Sequence, residues 1–575
     1  MQKHETTFPE TAQSRIAELE AALAVEHGRV EELTRERDQL RASHERLRLE
    51  LELLKRRIFV AKAERVDTAQ LELEFAEKLA ELDRLSHADA LAAIVPASKL
   101  RRPRPKPLGR RDLRKAPLEE ERVEITDPLY EYLVAKGKAK RVGFEESCKL
   151  AYKRGGMRRL VVARVKYQAT NSRGFSQIET AAMPKETFPR SLAAPSMLAH
   201  VAIEKHCDGM PLFRVEDRSA RDGFRVDRGT MCRWLEDAGA TLGATVVAAA
   251  RKDAMATAFC LATDATGVLI QPEPREDGQR QPCRRGHFFV LVADRDYIFF
   301  EYTPEETSAV VAEMFKTYSG YVQADAKSVY DILFRRPGEQ PLDEDEFIRS
   351  EIGCWSHARR KLWEGTVAKC IVSREGLARV GRIFDVDARL RGKPPDEIKR
   401  LRQVHLRPHL EAFFLWAEEQ YALVRDQRGL LRSALGYAVR QKDALMRVLD
   451  DGRLELTNNR SELALRRIAV GRKAWLFAYD DDHAAAAGHL FTMIASARLH
   501  GLEPETYLRD VFRVLAHWPV DRYLELAPKY WAATRSRLEP AELAAELGPL
   551  TVPPPLPAAQ LVVPSAQANK SPPSL

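Results

Sequence analysis

The stretch that decides the fold is Ala256–Gln271, ATAFCLATDATGVLIQ, an apolar run that stops at Asp264 and resumes four residues later. Two further runs follow it, GHFFVLVADRDYIFFEYTP at 286–304 and GYVQADAKSVY at 320–330. The D-R-D turn predicts a β-hairpin, and the third run predicts a short strand that ends at Asp325 before a helix. A meander followed by alternating strand and helix is an α/β pattern. We therefore predict a sheet within residues 251–480, with Asp264 and Asp325 at the ends of two strands.

Helical sequence surrounds this sheet. Residues 356–450 are rich in Leu and Arg, and residues 186–250 predict several short helices. One of these, VDRGTMCRWLEDAG, has Asp227 as its N-cap and exposes Arg228 and Arg233, which suits a helix-turn-helix that binds DNA. A small helical bundle without DNA contacts fits the same pattern. Residues 119–185 predict a small mixed domain around the strand RRLVVARVKYQA.

The N-terminal region carries a heptad pattern over residues 14–60. Leucines occupy position d, and mostly apolar residues occupy position a, with polar interruptions: Leu19, Leu33, Leu40, Leu47 and Leu54 at d; Ile16, Leu23, Val30, Leu51 and Ile58 at a. This pattern predicts a coiled coil that joins two or more copies of the chain. The alternative is a solvated helix packed on the body of the protein.

A helix and a basic linker are predicted in residues 61–118. The linker, SKLRRPRPKPLGRRDLRK at 98–115, contains prolines that prevent a helix and like charges that prevent compaction. Its charge suits a phosphate backbone or a minor groove, and a solvated tether is the alternative. The arginines with this predicted role are Arg101, Arg102, Arg104, Arg110 and Arg111. At the other end, the Pro/Ser-rich residues 550–575 predict a disordered tail.

Composition limits the classes of function. The 575 residues carry a net charge of +8 with a pI of about 9.0, a modest excess that favours a polyanionic partner. No apolar run approaches the ~20 residues that a membrane-spanning helix needs. The seven cysteines are dispersed and form no Cys-x-x-Cys pair, which indicates reduced thiols, a cytoplasmic location and no four-cysteine zinc site.

The stretch LELTNNRSELALRR, Leu454–Arg467, leaves two roles open for Glu462. With Asn459 as N-cap, Glu462 would be the N3 acid of a capping box, and Gly471 would end the helix. Alternatively, Glu462 would be the third carboxylate of a metal site with Asp264 and Asp325. Phosphoryl transfer by two metal ions needs such converging carboxylates, and Mg²⁺ prefers hard oxygen ligands.

Several long motifs occur together in the chain. They are DDGRLELTNNRSELALRRIAVGRKAWLFA, FTMIASARLHGLEPETYLRDVFRVL, GCWSHARRK, APSMLAHVAIEKHCDGMPLFR and LLKRRIFVAKAERVD. In sequence and order, over roughly residues 20–525, the chain closely resembles the insertion-sequence-66 family of bacterial transposases.

The resemblance implies a multidomain α+β protein with an RNase H-like catalytic domain. It places an Asp-Asp-Glu triad on Asp264, Asp325 and Glu462, which would hold two Mg²⁺ or Mn²⁺ ions. It implies a helical insertion at about 362–450 and a C-terminal helical element at 481–530. The expected function is cleavage of transposon ends and joining of the 3′-OH to target DNA. Expected partners are both DNAs, a second copy of the chain and small proteins of the same element, in the cytoplasm and on the nucleoid.

The chain departs from the family pattern where a zinc-binding module is usual. Residues 119–185 contain one cysteine, Cys148, so we expect no zinc there. This departure keeps a second hypothesis open, a catalytically decayed transposase that acts as a DNA-binding protein. Cys354 and His357 have a ligand-like spacing, and we predict a packing or hydrogen-bonding role for them. The basic residues that follow, Arg359, Arg360 and Lys361, are predicted to contact phosphate, with a solvated basic face as the alternative.

Overall fold

The computed structural model describes the chain from residue 118 to residue 557, with gaps at 154, 171–175, 190, 272–280 and 335–348. It also describes Leu113, Ala116 and most positions between 23 and 37. The latter are helical, and Leu23, Val30 and Leu33 are exposed there. The rest of the predicted coiled coil and the five arginines of the predicted linker lie outside the described residues. The coiled coil therefore stays a prediction.

The chain divides into two compact units, residues 1–107 with 363–374, and residues 108–362 with 375–575. The second unit begins with a small four-stranded sheet and one short helix. Its elements are β1 (Glu119–Ile125), α1 (Pro128–Ala135), β2 (Ala139–Lys153), β3 (Gly156–Thr170) and β4 (Ser176–Thr180). The predicted strand is thus the long central strand β3. It pairs antiparallel with β2 on one edge, and with parallel β1 and antiparallel β4 on the other.

Four helices precede the large sheet: α2 (Pro195–His206), α3 (Leu212–Arg221), α4 (Arg228–Leu242) and α5 (Ala248–Thr257). The predicted N-cap is confirmed, since the Asp227 carboxylate accepts hydrogen bonds from the N–H groups of Gly229 and Thr230. These helices share one hydrophobic core with the sheet and the C-terminal helices. The structure therefore does not separate residues 186–250 from the predicted catalytic domain.

The large sheet contains five strands, β5 (Cys260–Ile270), β6 (Arg284–Ala293), β7 (Tyr297–Thr303), β8 (Gly320–Gln323) and β9 (Arg349–Ile352). The strand order is β7-β6-β5-β8-β9. The first three strands form the predicted antiparallel meander, whereas β5, β8 and β9 run parallel. The turn at Asp294, Arg295 and Asp296 joins β6 to β7, as predicted. A short helix, α6 (Ser308–Met314), connects β7 to β8.

Residues 356–450 are mostly helical, as predicted. The helices are α7 (Trp355–Val367), α8 (Ile371–Ala388), α9 (Pro395–Leu401), α10 (Arg407–Val424), α11 (Leu430–Arg440) and α12 (Lys442–Met446). A π-helical turn, Arg402–Leu406, separates α9 from α10. After this insertion come α13 (Asn459–Trp475), α14 (Asp481–Leu499), α15 (Pro504–Val514), α16 (Pro528–Arg535) and α17 (Pro540–Ala544).

Helix α14 covers the edge strand β7. The hydroxyl of Ser496 accepts the N–H of Ile298 at 3.0 Å, and that of Thr492 accepts the N–H of Phe300 at 2.9 Å. The helix lies so close that a Cβ on Gly488 would be 2.6 Å from the Phe300 carbonyl oxygen. These contacts satisfy the free donors of an edge strand, which would otherwise pair with another chain.

Two sequence predictions about element ends are wrong. Gly471 does not end α13, which continues to Trp475 and terminates at Leu476 with φ 68°. A Cβ on Gly471 would instead lie 2.8 Å from Nε1 of Trp475, so the glycine leaves room for that ring. The predicted disordered tail does not start at residue 550, because Leu556 is buried and its N–H donates to Glu525. In the part of the chain that the structure describes, no helix is long and apolar enough to cross a membrane.

Candidate active site

The register of the parallel strands β5 and β8 brings Asp264 and Asp325 together. Ala262 is paired with Gln323, and each aspartate lies two residues further along its own chain. Neighbouring strands are about 4.8 Å apart, so residues at equal distance beyond a paired position emerge side by side. The two carboxylates therefore share the edge of the sheet where β8 ends.

Asp264 is not at the end of its strand, and this prediction is wrong. Strand β5 continues to Ile270, and Asp264 pairs with Val290 of β6. The strand continues because β6 is long enough to pair with all of it, whereas β8 is short and pairs only with residues 260–262. On its other edge β5 therefore has no described strand partner beyond Ala262, apart from a single bridge between Ile270 and Ala478. Asp325 follows β8 as predicted.

Helix α13 is held against this edge by Asn458. This side chain is buried, and its Nδ2 donates to the carbonyl oxygen of Thr263, the residue before Asp264, at 2.7 Å. Its Oδ1 accepts the hydroxyl of Ser461 at 2.6 Å. On the same face of the helix, Leu465 and Ile468 share a buried hydrophobic cluster with residues of β5 and β6. The first turn of α13, with Glu462, is therefore fixed beside Asp264.

Glu462 does not form a capping box. The N-cap is Asn458 rather than Asn459, so Glu462 lies one position beyond N3. The N–H of Asn458 donates to Cys354 Sγ at 3.3 Å and is not available to the glutamate. Instead, Glu462 Oε1 lies 3.7 Å from His357 Nε2, and 46% of its side chain is exposed. The capping interpretation is wrong, and the carboxylate faces the open edge of the sheet.

The segment before α13 is anchored at two further points. Gln323, the last residue of β8, donates from Nε2 to the carbonyl oxygen of Glu455 at 2.8 Å. Arg402 is 4% exposed and donates to the carbonyl oxygens of Val448 and Leu454. A buried arginine that saturates carbonyl oxygens in this way fixes the backbone geometry.

Cys354 and His357, the Cys-x-x-His element, have the predicted packing and hydrogen-bonding role. Cys354 is fully buried and receives the N–H of Asn458. The Cys354 side chain raises the pKa of His357, and the carboxylates of Asp325 and Glu462 raise it further against the opposing effect of burial. The raised pKa favours the protonated, cationic form of His357, which lies near Asp325 and Glu462.

The surroundings of Asp264 oppose the ionisation of its carboxyl group. Burial raises the pKa of Asp264 to about 6, and repulsion from Asp325 and Glu462 adds to this. The N–H of Ala265 and the ammonium of Lys327 act in the opposite direction. Burial alone would lower the pKa of Lys327, but the carboxylates of Asp325, Glu306 and Asp264 outweigh it and raise that pKa. Lys327 Nζ is 3.8 Å from Asp325 Oδ2.

The donor set fits a divalent cation in chemistry. Asp325 Oδ1 is buried, and it has no hydrogen-bond partner among the described residues. A buried carboxylate oxygen without a donor is costly unless a cation satisfies it. All three acids offer the hard oxygens that Mg²⁺ and Mn²⁺ prefer. However, within the described ranges no three His, Cys, Asp or Glu side chains converge closely enough to hold an ion together. The acids are gathered at one edge without forming a closed cage.

The predicted DNA-binding residues lie in several places. Arg228 and Arg233 are exposed on α4, whose other face is buried in the core. Arg359 and Arg360 are exposed on α7. Two residues of this set also stack on aromatic rings, Arg359 over Phe384 at 5.7 Å and Lys361 over Tyr437 at 5.5 Å. For these two, the contact is a structural role beside the predicted phosphate contact.

Sequence reasoning missed two positioning residues, Asn458 and Gln323. Both are buried polar side chains that donate to backbone carbonyls more than 100 residues away. A signal for Asn458 was available, since two consecutive asparagines before a helix need only one N-cap. The sequence held no comparable signal for Gln323.

The fold and the site together define an α+β protein with three acidic residues at one edge of a mixed sheet. The chain belongs to the transposase IS66 family, whose model matches residues 190–486, more than half of the chain. A second model, the IS66 C-terminal element, matches residues 492–528. This membership supports a transposase role, implies DNA as a partner and implies the use of a divalent metal.

Relatives occur in Sinorhizobium fredii (strain NBRC 101917 / NGR234). Uncharacterized protein y4hP is 24% identical over 522 residues, which is 84% of this chain and 88% of the relative. Uncharacterized protein y4qI is 24% identical over 381 residues, 64% of this chain and 68% of the relative. The first of these similarities extends well beyond the region that the family model covers.

Proposed function

We propose that the protein is a transposase that cuts transposon ends and joins the resulting 3′-OH to target DNA at the edge formed by β5, β8 and α13. What supports this proposal is the parallel register that aligns Asp264 with Asp325, together with the Asn458 hydrogen bond that holds the start of α13 at Thr263. Asp264, Asp325 and Glu462 come from three distant parts of the chain, and no local structural need explains all three. The strand order β7-β6-β5-β8-β9 supports an RNase H-like core.

Asp264, Asp325 and Glu462 would hold two divalent ions, Mg²⁺ or Mn²⁺. Bound there, the ions supply charge stabilisation to the attacking and leaving oxygens of an in-line displacement. The chain itself contributes rigidity and orientation. Asn458 and Gln323 fix the backbone on both sides of the acids, and the buried Cys354 supports the start of α13.

DNA would approach from the side where Glu462 is exposed. The exposed arginines Arg359 and Arg360 follow His357 on α7, so a phosphate backbone that reaches the acids would pass close to them. The heptad region is proposed to join two protomers, which would pair two transposon ends. We also propose a cytoplasmic location, with the protein on the nucleoid when it binds DNA.

A second candidate is a decayed transposase that binds DNA without cutting it. The open arrangement of the acids favours this candidate, since no three ligands converge among the described residues. In an active transposase, the three acids would bind divalent ions together when DNA is present. In a decayed transposase they would not.

The deciding experiment is strand transfer by the purified full chain with labelled element-end DNA and Mg²⁺. We expect joined products from the wild type. Asp264→Asn and Glu462→Gln should bind the DNA normally and yield no product. Asp331→Asn and Glu313→Gln are matched controls on exposed acids outside the site and should behave as the wild type. Retained cleavage in Asp264→Asn would refute the assigned triad, and an inactive wild type that binds the ends would support the decayed transposase.

A further inference from the structure

Lys327 occupies the border of the carboxylate cluster. Its Nζ lies 3.8 Å from Asp325 Oδ2 and 3.3 Å from Glu306 Oε1. Its backbone N–H also donates to the carbonyl oxygen of Asp325 at 2.7 Å, which fixes the start of the side chain beside that acid. A lysine at neutral pH carries a full positive charge. A single ammonium group is therefore shared between a proposed metal ligand and an acid outside the triad.

Glu306 precedes α6, on the connection from β7, and is not one of the proposed ligands. Its second contact is with His287, whose Nε2 lies 3.6 Å from Glu306 Oε2. The two oxygens of Glu306 thus face two different groups, with Oε1 assigned to Lys327. The side chain of Glu306 is 23% exposed, so its interaction with the ammonium is only partly screened by water.

The two oxygens of Asp325 are in different situations. Oδ2 faces the ammonium, whereas Oδ1 is buried and has no hydrogen-bond partner among the described residues. A divalent ion on Oδ1 would therefore lie within a few ångströms of a fixed positive charge. Repulsion between the two cations falls if the ammonium moves toward Glu306.

We propose that Lys327 is the internal counter-cation of the proposed metal site, and that Glu306 is the acid that receives its ammonium when a divalent ion binds Asp325. This inference rests on the proposed function, because it assumes that Asp325 is a metal ligand. Lys327 then sets the metal affinity in the absence of DNA. Without a metal ion, the ammonium of Lys327 offsets the negative charge of Asp325. When an ion binds, the ammonium leaves Asp325 and stays with Glu306.

The two side chains should act with opposite signs. Lys327→Met removes the competing charge, so affinity for Mn²⁺ should rise about tenfold. Glu306→Gln leaves the ammonium with Asp325 alone, so affinity should fall by a factor of about five to ten. Lys327→Arg keeps the charge and should stay near the wild type. A purely structural role for the pair would lower affinity in both neutralised variants.

The test is calorimetric titration of Mn²⁺ into the full chain without DNA, with circular dichroism to check that each variant is folded. Asp325→Asn is the reference and should lose binding. Lys316→Met is the matched control, since Lys316 also pairs with a nearby acid, Glu313, at 3.4 Å, but on the exposed surface. If Lys327→Met is unfolded, Lys327→Gln replaces it.

The outcomes separate this inference from the proposed function. If the wild type binds Mn²⁺ and folded Lys327→Met binds it equally or more weakly, the inference is overturned and the metal site stands. An increase in affinity in Glu306→Gln overturns it as well. If the wild type binds no Mn²⁺, both the metal site and the inference fail. Opposite changes in the two variants support the inference.

Discussion

Two aspartates of the large sheet are partly buried in similar ways and have opposite surroundings. Asp294, at the turn after β6, accepts the N–H of Phe259 at 2.7 Å and that of Cys260 at 3.0 Å. It therefore closes the start of β5. Asp264, four residues into that strand, accepts only the N–H of its own neighbour Ala265 among the residues that the structure describes. Asp294 is thus held by two backbone N–H groups from another segment, whereas Asp264 lies near two other acids, Asp325 and Glu462.

The difference separates structural acids from functional ones. Burial raises the pKa of both. At Asp294 two backbone hydrogen bonds oppose the rise and one carboxylate, that of Asp296, adds to it. At Asp264 one backbone hydrogen bond and Lys327 oppose the rise, and the two carboxylates of Asp325 and Glu462 add to it. A fold gains stability from the first arrangement and loses stability through the second. A cation-binding site needs several acids close together, even though their mutual repulsion lowers stability. The acids near Asp264 come from distant segments of the chain, as such a site requires.

The largest expected effect is on catalysis. Asp264→Asn should reduce strand transfer by at least about 10³-fold, since loss of an ion ligand removes several kcal/mol of charge stabilisation. Asp294→Asn makes the same chemical change in the same strand region and should keep activity within a few-fold of the wild type. The measurement is the initial rate of product formation under identical conditions. Equal losses in both variants would abolish the distinction between the two acids.

Stability should respond in the reverse order. Asp294→Ala leaves the N–H groups of Phe259 and Cys260 without acceptors and should cost about 2–4 kcal/mol of unfolding free energy. Asp264→Ala should cost far less. Chemical denaturation followed by circular dichroism gives both values. A larger loss for Asp264→Ala would mean that this acid, too, is structural.

The anchor of α13 should have an intermediate effect. Asn458→Ala removes the donor to the Thr263 carbonyl and should cost about 1–3 kcal/mol of stability. Strand transfer should fall by roughly 10–100-fold, because Glu462 would lose its fixed position. Asn459→Ala is the control. Its side chain is exposed and accepts only the Ser356 hydroxyl among the described contacts, so it should change little. A strong effect of Asn459→Ala alone would point to the other asparagine as the anchor.

The smallest expected effect is a pH dependence without metal. Because the pKa of Asp264 is raised to about 6 in the folded state, its contribution to stability is present below about pH 4 and is lost as the pH rises through 6. Asp264→Asn should thus equal the wild type at pH 4 and exceed it by about 1–2 kcal/mol at pH 8. Added Mg²⁺ should stabilise only the wild type. Melting curves of both proteins at the two pH values, with and without Mg²⁺, measure these stability differences. The same difference between wild type and Asp264→Asn at pH 4 and at pH 8 would contradict the prediction.

Much of the fold follows from local sequence. The strands around Asp264 and Asp325, the turn at Asp294, the cap at Asp227 and the helical texture of 356–450 are all encoded by neighbours in the chain. Their hydrophobic patterns and turn residues act over a few residues, so they are readable without a structure.

The errors came from long-range pairing. The end of β5 is set by the length of β6, and the N-cap of α13 is set by a bond from Asn458 to Thr263. Gly471 leaves room for the Trp475 side chain and does not terminate the helix. The residues that form the candidate site could be named from the resemblance, but the way they are positioned could not, since the hydrogen bonds involved join segments far apart in sequence.

The ends of the helical insertion adjoin each other. The N–H of Trp355, where α7 starts, donates to the carbonyl oxygen of Leu456 at 2.9 Å, and Cys354 receives the N–H of Asn458. These two hydrogen bonds join the first and last residues of the insertion, next to the segment that leads to Glu462. Arg402, inside the insertion, also binds the carbonyl oxygens of Val448 and Leu454. Deleting the whole insertion would therefore also remove a support of the helix that carries Glu462.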